Sequence, residues 1–193
     1  MKKLLITGFD PFGDNAVNPS WLAVEQLPVQ IGQFQLRKLM LPTVFGEAAR
    51  MVTEDAETWE PDVILCVGLA ASRSAVTLER IGVNIQDARI ADNAGNRPEG
   101  KFVIPGGPAA YFSTVPVEKM AQAIRDAQIP GSVSNTAGTF VCNDVLYTLL
   151  HHFDGTDTRV GFIHIPALPE QSQVGMPMNQ ITAALVAAIQ ACD

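Results

Sequence analysis

Apolar residues recur along this chain in two alternating rhythms. Short unbroken runs, such as LLI after Lys3 and VILCV after Asp62, give way to longer stretches with helical spacing. Residues 3–9 are predicted as a buried strand that opens the chain. Asn18-Pro19-Ser20 marks a helix start, with Asn18 as the cap and Pro19 at the first helical position, and this helix runs to about residue 26. Residues 34–41 form a strand stopped by Pro42, and a helix from Val44 to about Trp59 is closed by Pro61. Residues 62–67 are continuously apolar, as a central strand covered on both faces requires. Residues 76–85 are rich in β-formers. Further on, 117–128, 141–153 and 178–191 read as helices, and 132–135 and 159–165 as strands. Residues 86–114, dense in Asn, Gly and Pro, are predicted to be irregular, and a loop of that length in a compact domain is usually functional.

This alternation predicts an α/β fold: one domain over 1–193, an α/β/α sandwich with a twisted, mostly parallel (mixed) central sheet. The chain is long enough for a continuous core, and 47% hydrophobic against 17% charged residues is a globular composition. A net charge of −7 and a pI near 4.9, with no basic stripe, argue against nucleic acid as a partner. The longest apolar runs fall short of a membrane span. The opening MKKLLITGF reaches Thr7, Gly8 and Asp10 too soon for the apolar region of a signal peptide, so a cytoplasmic location is expected. Cys66, Cys142 and Cys192 form no closed disulfide set and show no CxxC spacing, which predicts free thiols, at most one of them reactive. With no HExxH, no Walker loop and no GxGxxG, neither a metal nor a cofactor is expected.

In open α/β sheets the chemistry gathers beyond the carboxyl ends of the strands. Cys142, in SNTAGTFVCNDVLYTLL, follows a short strand and opens a helix, where backbone N–H groups and the helix dipole favour thiolate and could hold an oxyanion. A buried structural thiol fits that position as well. His164, in GFIHIPALPEQ, ends a predicted strand and could be either a core imidazole or a base at the sheet edge. Glu79, in TLERIGVN, would by itself read as a surface carboxylate. Together the three supply what a thiol hydrolase needs: a nucleophile, a base and a group that orients the base.

Several segments in a fixed order resemble the type I pyroglutamyl peptidases, also called pyrrolidone-carboxylate peptidases. They are ITGFDPFG with NPS at 18–20, VGLAASR, ERIGVN, ARIADNAGN, SNTAGTFVCN and GFIHIPALPEQ, spread from the first strand to Gln171. The resemblance implies a cysteine peptidase acting on peptides with an N-terminal pyroglutamate. It implies a Glu79–Cys142–His164 triad, a ring pocket formed by Phe9, Phe12, Phe140 and Val141 with Asn18 close by, and a lactam contact at the Leu69 backbone. It also implies Arg89 near the oxyanion, and a homotetramer with no membrane or nucleic-acid partner. The chain departs from the family pattern at Ala71-Ser72, where glycines are usual, at Asp144, where histidine is common, and at Asp10 and Asp14. The competing readings are another thiol amidase or deamidase on this sheet, and a nucleoside-binding or phosphorolytic enzyme, or an inert binding protein, on a similar α/β sandwich.

Overall fold

The computed structural model describes residues 1–13 and 16–193; Asp14, one of the departures above, lies outside them. Along the chain, β1 (Lys2–Phe9), α1 (Pro19–Gln26), β2 (Gln30–Ile31), β3 (Phe34–Leu41), α2 (Glu47–Trp59) and β4 (Val63–Leu69) precede β5 (Val76–Glu79), β6 (Ile81–Val83) and β7 (Ala110–Phe112). Then follow α3 (Val117–Asp126), β8 (Gly131–Ser134), α4 (Val141–His152), β9 (Arg159–Ile165) and α5 (Met178–Gln190). Seven strands make one sheet in the order β2-β3-β1-β4-β9-β5-β8. The block β3-β1-β4-β9 is parallel throughout, whereas β5 meets β9 antiparallel and carries β8 parallel to itself. This is the mostly parallel, mixed α/β sheet that the alternation predicts.

Pleating sorts the strand residues onto two faces, because successive side chains point to opposite sides. Leu4, Ile6, Val63, Leu65, Val67, Val76, Leu78, Ile163 and Ile165 join α1, α3 and α5 in one core. Leu5, Ile64, Cys66, Val160 and Phe162 join α2 and α4 in the other. Each such side chain taken fully from water contributes roughly 1.5–3 kcal/mol, so the two faces hold the sandwich together from both sides. The same parity sends Gly68, Thr77, Glu79 and His164 to the side of α2 and α4.

Two predicted segments divide differently. Residues 76–85 do not form one strand: the chain leaves the main sheet after Glu79, and β6 instead pairs with β7 in a separate two-stranded ribbon. The ribbon is fixed by Asn143, fully buried on α4, whose Oδ1 accepts from Val83 N–H (2.9 Å) and whose Nδ2 donates to Val83 O (2.8 Å) and Ile85 O (3.1 Å). The irregular region 86–114 contains β7, and it is pinned by the Gln86–Lys101 bridge and by Asn84, which bonds the backbone of Ile104 and Gly107. The two-residue β2 is too short to leave a periodic signal.

The entry to α1 follows the sequence signal. Asn18 caps it by accepting from Ser20 N–H (3.1 Å), and Pro19 follows at the first turn. The helix then crosses β1 at backbone contact: a Cβ placed on Gly8 would stand 2.6 Å from Trp21 Cα and 2.7 Å from its N. Ser20 Oγ meanwhile accepts from Phe9 N–H (2.9 Å). Gly8→Ala must therefore push α1 off the sheet. The expected result is a loss of about 1–3 kcal/mol, the usual scale of overpacking, seen as a lower urea midpoint with an unchanged slope.

Candidate active site

Glu79 and His164 meet because of register. β5 and β9 pair Thr77 with His164 and Glu79 with Phe162, so Glu79 lies diagonally across from the imidazole on the same face. That diagonal is too long for a short side chain and within reach of a glutamate. Glu79 Oε1 and His164 Nδ1 are 2.7 Å apart, with Glu79 fully buried and His164 only 4% exposed. Burial works against charge on Glu79, but His164, then Ser134 and Arg73, outweigh it and hold the carboxyl below its usual range. Burial likewise lowers the His164 pKa, against the opposing pull of Glu79. With Nδ1 engaged by Glu79, Nε2 is the nitrogen left for chemistry.

Cys142 reaches this pair through a glycine. Gly68 is the register partner of His164 on β4, and a Cβ built there would stand 2.9 Å from Cys142 Sγ and 2.9 Å from the Phe162 ring. The absent side chain is what lets the sulfur lie against the sheet beside the His164 rung. The Phe162 and His164 rings are 4.8 Å apart, which closes that corner. Cys142 sits in the first turn of α4, whose cap residue Phe140 makes no side-chain cap bond, so first-turn N–H groups remain for an anion. The expected lowering of the thiol pKa does not follow, however. Burial pushes the Cys142 thiol up to about 12, with the negative charge of Glu79 adding to it, and these outweigh Arg73 and the helix backbone. Burial thus favours the neutral form of both the thiol and the imidazole.

Above the sulfur lies a cavity of about 120 Å³ lined by Phe9, Phe12, Val17, Asn18, Thr43, Leu69, Phe140 and Cys142. Drug-sized ligands occupy roughly 300–1,000 Å³, so this slot takes a group of only a few atoms. Phe12 and Phe140 form its jaws, with ring centroids 5.2 Å apart, and Phe45 backs Phe140 edge-on at 5.2 Å. The pairing of β1 with β4 stops at Cys66, which frees the backbone of Leu69 on the cavity side.

Of the ten residues singled out in the sequence, most converge here. Phe9, Phe12, Asn18, Leu69, Phe140 and Cys142 line the cavity, and Glu79 and His164 lie beneath it. Val141 does not contribute a wall: its side chain is fully buried in the α2–α4 core, leaving only its backbone to face the site. Arg89 is exposed and is not among the lining residues. The polar atoms of Asn18 are committed to structure, since besides capping α1 it donates from Nδ2 to Asp10 O (2.8 Å). Asp144 turns away from the thiol, accepting from Gly46 N–H (2.8 Å) and Gln86 Nε2 (2.6 Å), with burial raising its pKa. Ala71 and Ser72 are exposed.

Sequence reasoning missed two residues. Asp10 is more than a departure: its Oδ1 accepts from Thr43 N–H (2.8 Å), Thr43 Oγ1 (2.8 Å) and Asn93 Nδ2 (3.1 Å), tying the Phe9–Phe12 wall to two other loops. Arg73 was visible only as the end of a motif, yet its Nη1 donates to Glu79 Oε1 (2.5 Å). In both cases the signal was a charged residue inside a segment that otherwise carries glycines and small residues.

Comparison with known proteins agrees with this geometry across nearly the whole chain. The family model described as pyroglutamyl peptidase matches residues 2–193. A pyrrolidone-carboxylate peptidase of Escherichia fergusonii is 51% identical over 174 residues, covering 89% of this chain and 81% of that protein. The crystal structure of pyroglutamyl peptidase I from Bacillus amyloliquefaciens superposes with a TM-score of 0.96 at 42% identity, covering 100% of this chain and 97% of that one. The pyrrolidone carboxyl peptidase of Thermococcus litoralis does so at 0.95 and 34% identity, covering 100% and 93%. Likeness in sequence and in backbone thus extends well beyond the motifs around the cavity, and the chain belongs to the pyroglutamyl peptidase family.

Proposed function

We propose that this chain is a cysteine peptidase that removes an N-terminal pyroglutamyl residue from peptides, with Cys142 as nucleophile, His164 as base and Glu79 orienting the imidazole. The observation that carries the reading is a cysteine at the floor of a small aromatic slot, beside a histidine whose other nitrogen is held by a buried carboxylate. The pyrrolidone ring lies in the slot against the paired Phe12 and Phe140 rings, with its N–H donated to the Leu69 carbonyl. The scissile carbonyl then lies over Cys142, with its oxygen toward the first-turn N–H groups of α4.

Because the resting thiol is neutral, His164 takes the proton as sulfur attacks. The S–C bond forms, the oxyanion collapses, the C–N bond breaks, and the leaving amine takes the proton from His164. Water then adds to the thioester with His164 again as base. The S–C bond breaks, free pyroglutamate leaves, and the proton returns to sulfur. Glu79 stabilises the imidazolium that exists only during these transfers. No step in this reading calls for a metal or cofactor. Free peptide amines and charged glutamate are poor occupants of the slot, since an unpaired polar group loses roughly 2–7 kcal/mol there and a charge more. The same reading includes a cytoplasmic homo-oligomer, a tetramer by family resemblance. It is supported by Phe102 and Phe112, 67% and 68% exposed on the segment 102–112.

Cys142→Ala is expected to abolish release of a fluorophore from a pyroglutamyl amide, and a rate equal to wild type would sink the assignment. On a panel of amides, pyroglutamyl should exceed prolyl and glutaminyl by at least about 10²-fold in kcat/KM, the scale set by one unpaired buried polar group. A flat panel would point to a general thiol amidase instead. Glu79→Gln should lower kcat by about 10²–10⁴-fold, the range of a general base. It should also move the acidic limb of kcat/KM to lower pH: Glu79 raises the His164 pKa, so removing its charge leaves the imidazole neutral down to more acid solution. An unmoved limb would show that the base is another group.

A further inference from the structure

Arg73 stands where three parts of the site come together. It follows the turn that ends β4, which its own N–H closes by donating to Ala70 O (2.9 Å). Its Nη1 donates to Glu79 Oε1 and to Thr77 Oγ1, both at 2.5 Å, and its Nη2 donates to Thr136 O (2.9 Å). Thr136 belongs to the loop that leaves β8 and delivers Cys142 to the start of α4. Within the loop Thr136 N–H donates to Ser134 Oγ (3.3 Å) and Gly138 N–H to Thr136 Oγ1 (3.1 Å). Its far end is held to residue 87, where Thr139 Oγ1 donates to Asp87 O (2.8 Å) and Thr139 O accepts from Asp87 N–H (3.0 Å), and Arg73 holds the end next to β8. Through one planar guanidinium, the loop after β4, the orienting carboxylate and the approach to the nucleophile share a single anchor.

The oxygen that Arg73 contacts is the one that His164 contacts. Glu79 Oε1 receives both, whereas Oε2 is buried and has no hydrogen-bond partner among the described residues. The two shortest constraints on the carboxylate therefore act through one atom, and removing Arg73 takes away one of them. Arginine suits the place because its fork reaches three acceptors at fixed angles, which a lysine point charge cannot do.

We propose that Arg73 is the positioning residue of the triad, locking Glu79 onto His164 while tethering the Cys142 loop to the same carboxylate, so that base and nucleophile keep one geometry. The proposal rests on the cysteine-peptidase reading above. Arg73 acts through Glu79 and the loop and does not touch substrate, since it lies outside the cavity lining. The charged and titratable groups facing His164 are Glu79 from β5, Arg73 from the loop after β4 and Cys142 from α4. Of these, Arg73 holds the His164 pKa down while Glu79 holds it up.

The test compares Arg73→Met and Arg73→Lys with wild type and Cys142→Ala on a pyroglutamyl amide, with thermal melting to verify folding. Arg73→Met is expected to lower kcat by about 10²-fold, the scale of a misplaced catalytic group, with KM changed less than about threefold. Its acidic limb in kcat/KM should move to higher pH, opposite to Glu79→Gln, because the cation that kept His164 neutral is gone. Arg73→Lys should restore the limb, since the charge returns, but recover kcat only in part, since one ammonium cannot hold both Glu79 and Thr136. A folded Arg73→Met with wild-type kcat and an unmoved limb overturns the proposal, as does a loss confined to KM. If melting shows Arg73→Met unfolded, Arg73→Lys decides: full recovery of both kcat and limb overturns the tether. An active Cys142→Ala would instead remove the underlying reading, and so the two failures are told apart.

Discussion

Burying a carboxylate inside a sheet costs several kcal/mol unless its charge is answered, and Glu79 is fully buried. What answers it is one short bond to His164 Nδ1 and one to Arg73 Nη1, both on the same oxygen. The rest of the site depends on this arrangement. It engages Nδ1 of the imidazole and leaves Nε2 as the nitrogen not bound to the carboxylate. It also explains the antiparallel insertion of β5 beside β9. Only that direction, in this register, places Glu79 two rungs inside the sheet edge, where the carboxylate is dry and diagonal to His164.

The dryness that strengthens the pair acts the other way on the Cys142 thiol. A helix start and a nearby arginine favour thiolate, but the same enclosure that makes the slot selective for a small flat group raises the thiol to about 12. Magnitude decides here: stabilisation by a helix terminus is worth roughly 0.3–1 kcal/mol, while burial of a charged group shifts pKa by up to 3–5 units. On the proposed mechanism, this enclosure favours proton transfer concerted with attack over a standing ion pair. The small cavity and the neutral resting thiol both follow from the enclosure of Cys142 at a slot walled by Phe9, Phe12 and Phe140.

Much of this was legible in the sequence, and what was not has identifiable causes. Runs of apolar residues marked β1, β4 and β9 because a strand covered on both faces leaves few polar gaps, Pro42 marked the end of β3, and Asn18-Pro19 marked α1 because cap chemistry is local. The rule that active groups gather at the carboxyl ends of strands placed His164 well. It could not foresee that β5 and β8 run against the other strands, so Glu79 and the loop before Cys142 approach from the opposite direction. Strand direction is set by pairing between distant segments, on which local pattern is silent. Val141 shows a similar limit: adjacent to two pocket residues in sequence, it is turned into the core by the 3.6-residue rotation of α4. Asp144 is the converse case, a charged neighbour of the nucleophile that the same rotation carries about 200° away to Gly46 and Gln86.

Gly68 ties these threads together. On β4 it occupies the face and the rung where a side chain would separate Cys142 from His164, and its missing Cβ is the space the sulfur uses. Gly8, one strand over, lets α1 press its backbone on β1 and so sets the wall that carries Phe9 and, through Asn18 and Asp10, the loop of Phe12. Neither glycine is at a positive φ, so neither is there for a turn. Both are there for approach, one of a nucleophile and one of a helix. The geometry of the site is in that sense built from the backbone outward: two absent methyl groups let the elements close, and the charged pair beneath them then holds the chemistry in register.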